Sequence, residues 1–156
     1  IEEGTPILAA LVAPARGERW WAAAGQGAWR NGKRLTASQC TSLTRARVPA
    51  DSLAQVDRDL VMVAKPNSIA LRMAMVAADE ADLLASVRWG SEWDIAAATL
   101  IAQEAGAVVT DALGRPLEFN REKPVALGVL CSAPAIHAAA TQRLRERAEA
   151  ILNKPV

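Results

Sequence analysis

The chain has no tyrosine, one phenylalanine, one histidine and two cysteines in 156 residues. Cys40 and Cys131 are far apart and share no metal-type spacing, which argues against a zinc site or a disulfide framework. Two isolated thiols point to a reducing compartment, so the expectation is a soluble cytoplasmic domain. Charge of one sign is also lacking: 18 Lys and Arg stand against 17 Asp and Glu. That balance offers no basic face to a nucleic acid polymer and no acidic tail. No apolar run approaches the roughly 20 residues of a membrane span, and no charged-then-apolar leader opens the chain. The lone histidine, His137, falls in the C-terminal helical stretch and reads as a surface or packing residue, not a general base. Cys131 lies in a strand-like run with no cation nearby to stabilise a thiolate.

What is present is enough for one domain with a real core. Ile7 to Ala13 and Trp20 to Ala23 read as strands, separated by the turn formers of Pro14-Ala15-Arg16-Gly17. GQGAWRNGKRL follows, and its Asn31-Gly32 is a strong hairpin signal. Residues 1–36 are therefore expected to form an antiparallel β-meander. Residues 37–59 read as a polar surface connection around a short strand near Val48. Further strands are expected near 60–63, 81–85, 107–110 and 126–131, and helices near 69–78, 94–105 and 133–152. This mixture predicts an α/β fold, an α+β layered sandwich, spanning residues 1–156 as a single domain.

Asp94, in SEWDIAAATLIAQEAG, stands at the start of the second helix. One reading is an N-cap, whose carboxylate accepts bonds from free first-turn amides. Ser91, three residues earlier, offers a competing capping box with Asp94. The other reading is a ligand or catalyst, since Ala96, Ala97 and Ala98 leave room for a close approach.

WDIAAATLIAQEAGAVVTDALGRPLEFN resembles the second signature of the inositol monophosphatase family, Mg²⁺-dependent and lithium-sensitive phosphomonoesterases. Trp93, Asp94, Ala96, Ala97, Glu104, Ala105, Gly106, Thr110, Asp111 and Gly114 fill that pattern. PILAALVAPARGERWWAAAGQGAWRNGKRL is similar to the family's strand pair ending in Gly-x-Gly-Ala-x-x-Asn-Gly. SIALRMAMVAADEADLL is similar to its helix before the second signature. Gly106-Ala107 and Ala98 depart conservatively from the family's Gly-Gly and Gly. A larger departure is the lack of an Asp-Pro-x-Asp-Gly-Thr motif and of the upstream Glu that hold the family's metals.

The resemblance therefore implies the second half of an αβαβα fold, the C-terminal portion of a phosphatase. By itself this chain is expected to be inactive, with no catalytic residue identifiable in it. An absent upstream half would leave the meander with an exposed face or edge. The resemblance makes Asp94 one Mg²⁺ ligand among several, compatible with a favourable place at a helix N-terminus. Asn67 and Ser68 fall where the family presents a loop and helix start to the substrate, although a plain N-cap explains them equally.

Ser86 occupies the position of a Glu found in inositol-preferring members, so bisphosphate nucleotides and other small phosphate monoesters stay open beside inositol monophosphate. Arg72 or Arg88 could meet a second phosphate, but each reads more readily as a solvated charge. Family members form homodimers, and Trp20, Trp21 and Trp29 supply apolar material for an interface. A non-catalytic binding or association module that keeps this half of the fold is the alternative.

Overall fold

The computed structural model describes residues 1–152. The chain begins with a four-stranded antiparallel meander, β1 (Leu8–Ala13), β2 (Glu18–Ala23), β3 (Gly27–Arg30) and β4 (Lys33–Arg34), in sequential order. Asn31 and Gly32 take φ of 49° and 78°, the left-handed pair that a tight hairpin between twisted strands requires. Alternation divides the meander's faces. Ala9, Trp20, Ala22 and Ala28 point into the core, whereas Leu8, Val12 and Trp21 stay 72%, 58% and 40% exposed on the other side. Trp21 stacks on its cross-strand neighbour Trp29 at 5.7 Å between ring centroids. The outer face of this sheet is thus apolar and uncovered.

Strands β5 (Arg47–Pro49) and β6 (Val61–Val63) form a short parallel pair. Helix α1 (Ile69–Ala77) begins at Ser68, whose hydroxyl accepts from the Leu71 amide at 3.2 Å. Strand β7 (Leu83–Ser91) runs directly into α2 (Glu92–Glu104). After β8 (Val108–Thr110), β9 (Val125–Ser132) inserts between β7 and β8, antiparallel to both. A short 3-10 turn, Pro134–Ile136, leads into α3 (His137–Leu152).

These elements stack in the order meander, α1 and α2, β7-β9-β8, α3. Strand β9 is buried on both sides. Val129 and Cys131 belong to the core that joins meander, α1 and α2, while Leu130 faces Leu83, Ile136, Ala140 and Leu144 in the core beneath α3. Helix α2 is locked to the meander at its C-terminal end. The Glu104 carboxylate accepts from the Gly25 and Gly27 amides at 2.8 and 2.7 Å.

The layered expectation holds, with three corrections. Residues 37–59 are not wholly a surface connection: Ala37, Ser38 and Ala46 are buried. The Ala37 and Ser38 amides donate to the carbonyls of Ala105 and Val76 at 2.8 and 3.1 Å. Ser38 and Arg47 also bond the buried Asp82 carboxylate. Burial works to raise the Asp82 pKa, but the bonds from Arg47 and Ser38 outweigh it and hold the group below its usual range. Secondly, Trp20 is only 2% exposed and belongs to the core, so it cannot serve an interface. Thirdly, α2 starts at Glu92, which makes Ser91 the N-cap and places Asp94 within the first turn.

Candidate active site

Asp94 is not a cap. The N-cap residue is Ser91, and its side chain makes no capping hydrogen bond, so the Ser91–Asp94 capping box is not formed. The second acidic residue of that turn, Glu92, is buried and engaged. Its carboxylate accepts from the Asn120 amide and from Arg121 Nε, both at 2.8 Å. Asp94 differs: it is exposed, and among the described residues its carboxylate has neither a hydrogen-bond donor nor an ion-pair partner. Its position suits a negative charge, because the free amides of a helix start carry partial positive charge.

Asp94 borders a small hollow of about 50 Å³, together with Ile69, Arg88, Gly90, Ser91 and Gly128. Two helix beginnings therefore converge on it, Ile69 from α1 and Ser91 with Asp94 from α2. The floor is shaped by an irregularity in the sheet. The β7–β9 register shifts between Ser86 and Trp89, one extra residue on β7. Opposite this bulge, Gly128 sits in mid-strand at φ 65°, and a Cβ there would come within 2.0 Å of the Ser86 carbonyl oxygen. Only glycine fits, and the bulge it permits brings Arg88 to the rim of the hollow.

The other site expectations are placed less directly. Ser68 spends its acceptor on capping α1, and Asn67 is exposed beside it. Neither lines the hollow itself, although Ile69, the next residue, does. Arg72, one turn into α1, keeps its guanidinium near the Ser68 carbonyl. Burial lowers its pKa from the usual guanidinium value, and the nearby charge of Arg88 adds to that against an opposing pull from Asp51.

His137 lies away from this hollow. Its Nδ1 and Nε2 are 2.8 and 3.1 Å from the hydroxyls of Ser132 and Thr110, and burial lowers its pKa. It is half-buried, with both ring nitrogens engaged. Burial pushes the Cys131 thiol up to about 12, which rules out a thiolate nucleophile near neutral pH. A cavity of about 290 Å³ under α3 has Arg143 and Arg147 at its edge, but Asp59 and Asp57 already pair with them.

Among the described residues, no group of three or more His, Cys, Asp or Glu side chains could hold a metal ion. Asp94 fits Mg²⁺ as one ligand: it is an unengaged oxygen donor, the type a hard cation takes.

The family model for the inositol monophosphatase family matches residues 1–153. The chain is 35% identical over 121 residues to inositol monophosphatase 2 of Rattus norvegicus, covering 67% of this chain and 41% of that protein. It is also 35% identical over 115 residues to the fructose-1,6-bisphosphatase/inositol-1-monophosphatase of Methanothermobacter thermautotrophicus, covering 67% and 40%. The solved structure of the Thermotoga maritima IMPase superposes with a TM-score of 0.78 at 28% identity, over 97% of this chain and 60% of that one. The chain spans about half the length of the curated relatives it matches.

Proposed function

Since the chain belongs to the inositol monophosphatase family, we propose that it is the C-terminal portion of a Mg²⁺-dependent hydrolase of small phosphate monoesters. The observation that carries this reading is the unengaged Asp94 carboxylate at the rim of a hollow where two helices begin. A bound Mg²⁺ would polarise the phosphate and supply an activated water. Asp94 would hold such an ion as one of several ligands, the others coming from outside this chain. The beginnings of α1 and α2 favour an anionic substrate group by their free amides. Asn67 and Ser68, at the start of α1, would contact the part of the substrate that does not react. Ser68 can still donate its hydroxyl proton after accepting from Leu71.

The test is phosphate release by the complete protein from inositol monophosphate, a bisphosphate nucleotide and glycerol 2-phosphate. Activity should require Mg²⁺ and vanish on chelation. No release from any of them, with the fold intact, would favour the non-catalytic binding module instead.

Two further parts of the reading concern the whole protein. A homodimer is proposed, with the stacked Trp21 and Trp29 as its apolar material where the upstream half leaves the outer face of the meander open. Sedimentation of the complete protein at micromolar concentration should give twice the monomer mass, and a clean monomer would refute the dimer. A cytoplasmic location is supported by free thiols at Cys40 and Cys131. No helix among the described residues is long and apolar enough to cross a membrane.

A further inference from the structure

The cavity of about 290 Å³ beneath α3 has no part in the reading above, and it shares no lining residue with the Asp94 hollow. Its origin is a short connection. Strands β5 and β6 are parallel neighbours, and such pairs are usually joined by a crossover of roughly a dozen residues or more that lays a helix over the sheet. Here residues 50–60 make the crossing with only a 3-10 turn, Gln55–Asp57. The space between the sheet and α3 is therefore incompletely filled. Leu43, Leu53, Leu60 and Val87 pack against the core beneath α3 yet stay only partly buried, and all four line the cavity. Side chains in that position forgo the dispersion contacts of a filled core.

The charged groups of the wall are already matched. Arg143 pairs with Asp59 at 2.7 and 3.0 Å, and Arg147 with Asp57 at 2.9 and 3.3 Å. A charged ligand would have to break one of these two-point pairs to enter. One donor is left over. Arg147 lines the cavity, and its Nε is buried with no acceptor among the described residues. A buried donor without an acceptor is costly, and a single carbonyl or ether oxygen in the cavity would satisfy it.

We propose that this cavity is a binding site for a small neutral molecule with an apolar body and one oxygen acceptor, which takes the hydrogen bond of Arg147 Nε. An apolar cavity of about 150 Å³ holds benzene, so this one accommodates roughly a dozen non-hydrogen atoms. That is too little for a peptide helix, which is about 10 Å across. The mainly apolar lining does not suit a sugar phosphate either. The site is independent of the phosphatase reading.

The experiment uses acetophenone and isopropylbenzene, which match in size and shape and differ in that only the first has an acceptor. Methyl NMR of the complete protein should show both probes shifting the signals of Leu43, Leu53, Leu60 and Val87, with the millimolar affinities expected of ligands this small. Acetophenone should bind about tenfold more tightly. Arg147→Lys keeps a positive charge for Asp57 and puts a methylene where Nε stood. The preference should vanish in that variant while isopropylbenzene binds as before. No shift at those methyls with either probe overturns the site, including the case in which the rest of the complete protein covers the cavity. A preference that persists in Arg147→Lys overturns it as well. If Arg147→Lys does not fold, the unchanged protein still decides: equal affinities for the two probes overturn the proposal, and a tenfold preference at those methyls supports it.

Discussion

Gly128→Ala is expected to destabilise the complete protein by more than about 4 kcal/mol, the far tail of single substitutions. Two costs combine. The backbone at φ 65° is left-handed, which costs an ordinary residue about 1–2 kcal/mol. The added methyl would also sit 2.0 Å from the Ser86 carbonyl oxygen and 2.9 Å from Ala112 Cβ, in the middle of β9. Neither neighbour is a flexible side-chain end, so β7 and β9 must separate locally. Gly17→Ala is the control that divides the costs. Gly17 has φ 64° with nothing within 4 Å of a built Cβ, so it carries the strain without the clash. Thermal melts should show a loss of a few degrees for Gly17→Ala and of roughly 10 °C or more for Gly128→Ala, if the latter folds at all. Equal losses would mean that the bulge is not a tight packing point.

Features legible in the sequence share a local cause. Asn31-Gly32 marks its hairpin because the dihedrals it needs are properties of those two residues. The start of α1 is visible because Pro66, Asn67 and Ser68 act within a few residues of the helix they precede. Asp94 stands out at a helix start for the same reason, although its place within the turn is not visible. The exact start of α2 depends on Glu92, whose carboxylate is committed to Arg121, 29 residues later.

Features that escaped the sequence are set by distant partners. Strand β7 was expected over 81–85 but runs to Ser91. Its Arg88-Trp89-Gly90 segment is exposed and shows no buried alternation, and only pairing with Leu127 and Ala126 across the bulge keeps it extended. Ala37 and Ser38 look like loop residues because their hydrogen bonds end on helices α1 and α2, far along the chain. The place of Arg88 at the rim of the hollow escapes for the same reason, since the hollow exists only once β7, β9, α1 and α2 are assembled.

Asp94→Asn is expected to leave the fold nearly unchanged and to abolish most of the activity. On the stability side little depends on this carboxylate: it is exposed, accepts no hydrogen bond from described residues and caps no amide. Its remaining contribution is the attraction of a negative charge to the start of α2, about 0.3–1 kcal/mol, which corresponds to a melting shift of only a few degrees. On the activity side, if Asp94 holds Mg²⁺ as proposed, the same change would remove one charge and weaken one oxygen donor of that ion's shell. Turnover and apparent Mg²⁺ affinity of the complete protein should each fall by about tenfold or more. The shape of the side chain is kept, so the loss cannot be assigned to a cavity or a clash. Phosphate release measured across a Mg²⁺ series, beside a thermal melt of the same sample, separates the two effects. A variant that melts early and loses activity in proportion would make Asp94 a structural residue. A stable and fully active variant would remove it from the metal site altogether. The 156-residue chain by itself should release no phosphate at any Mg²⁺ concentration, because its described residues bring one free carboxylate to a site that needs several.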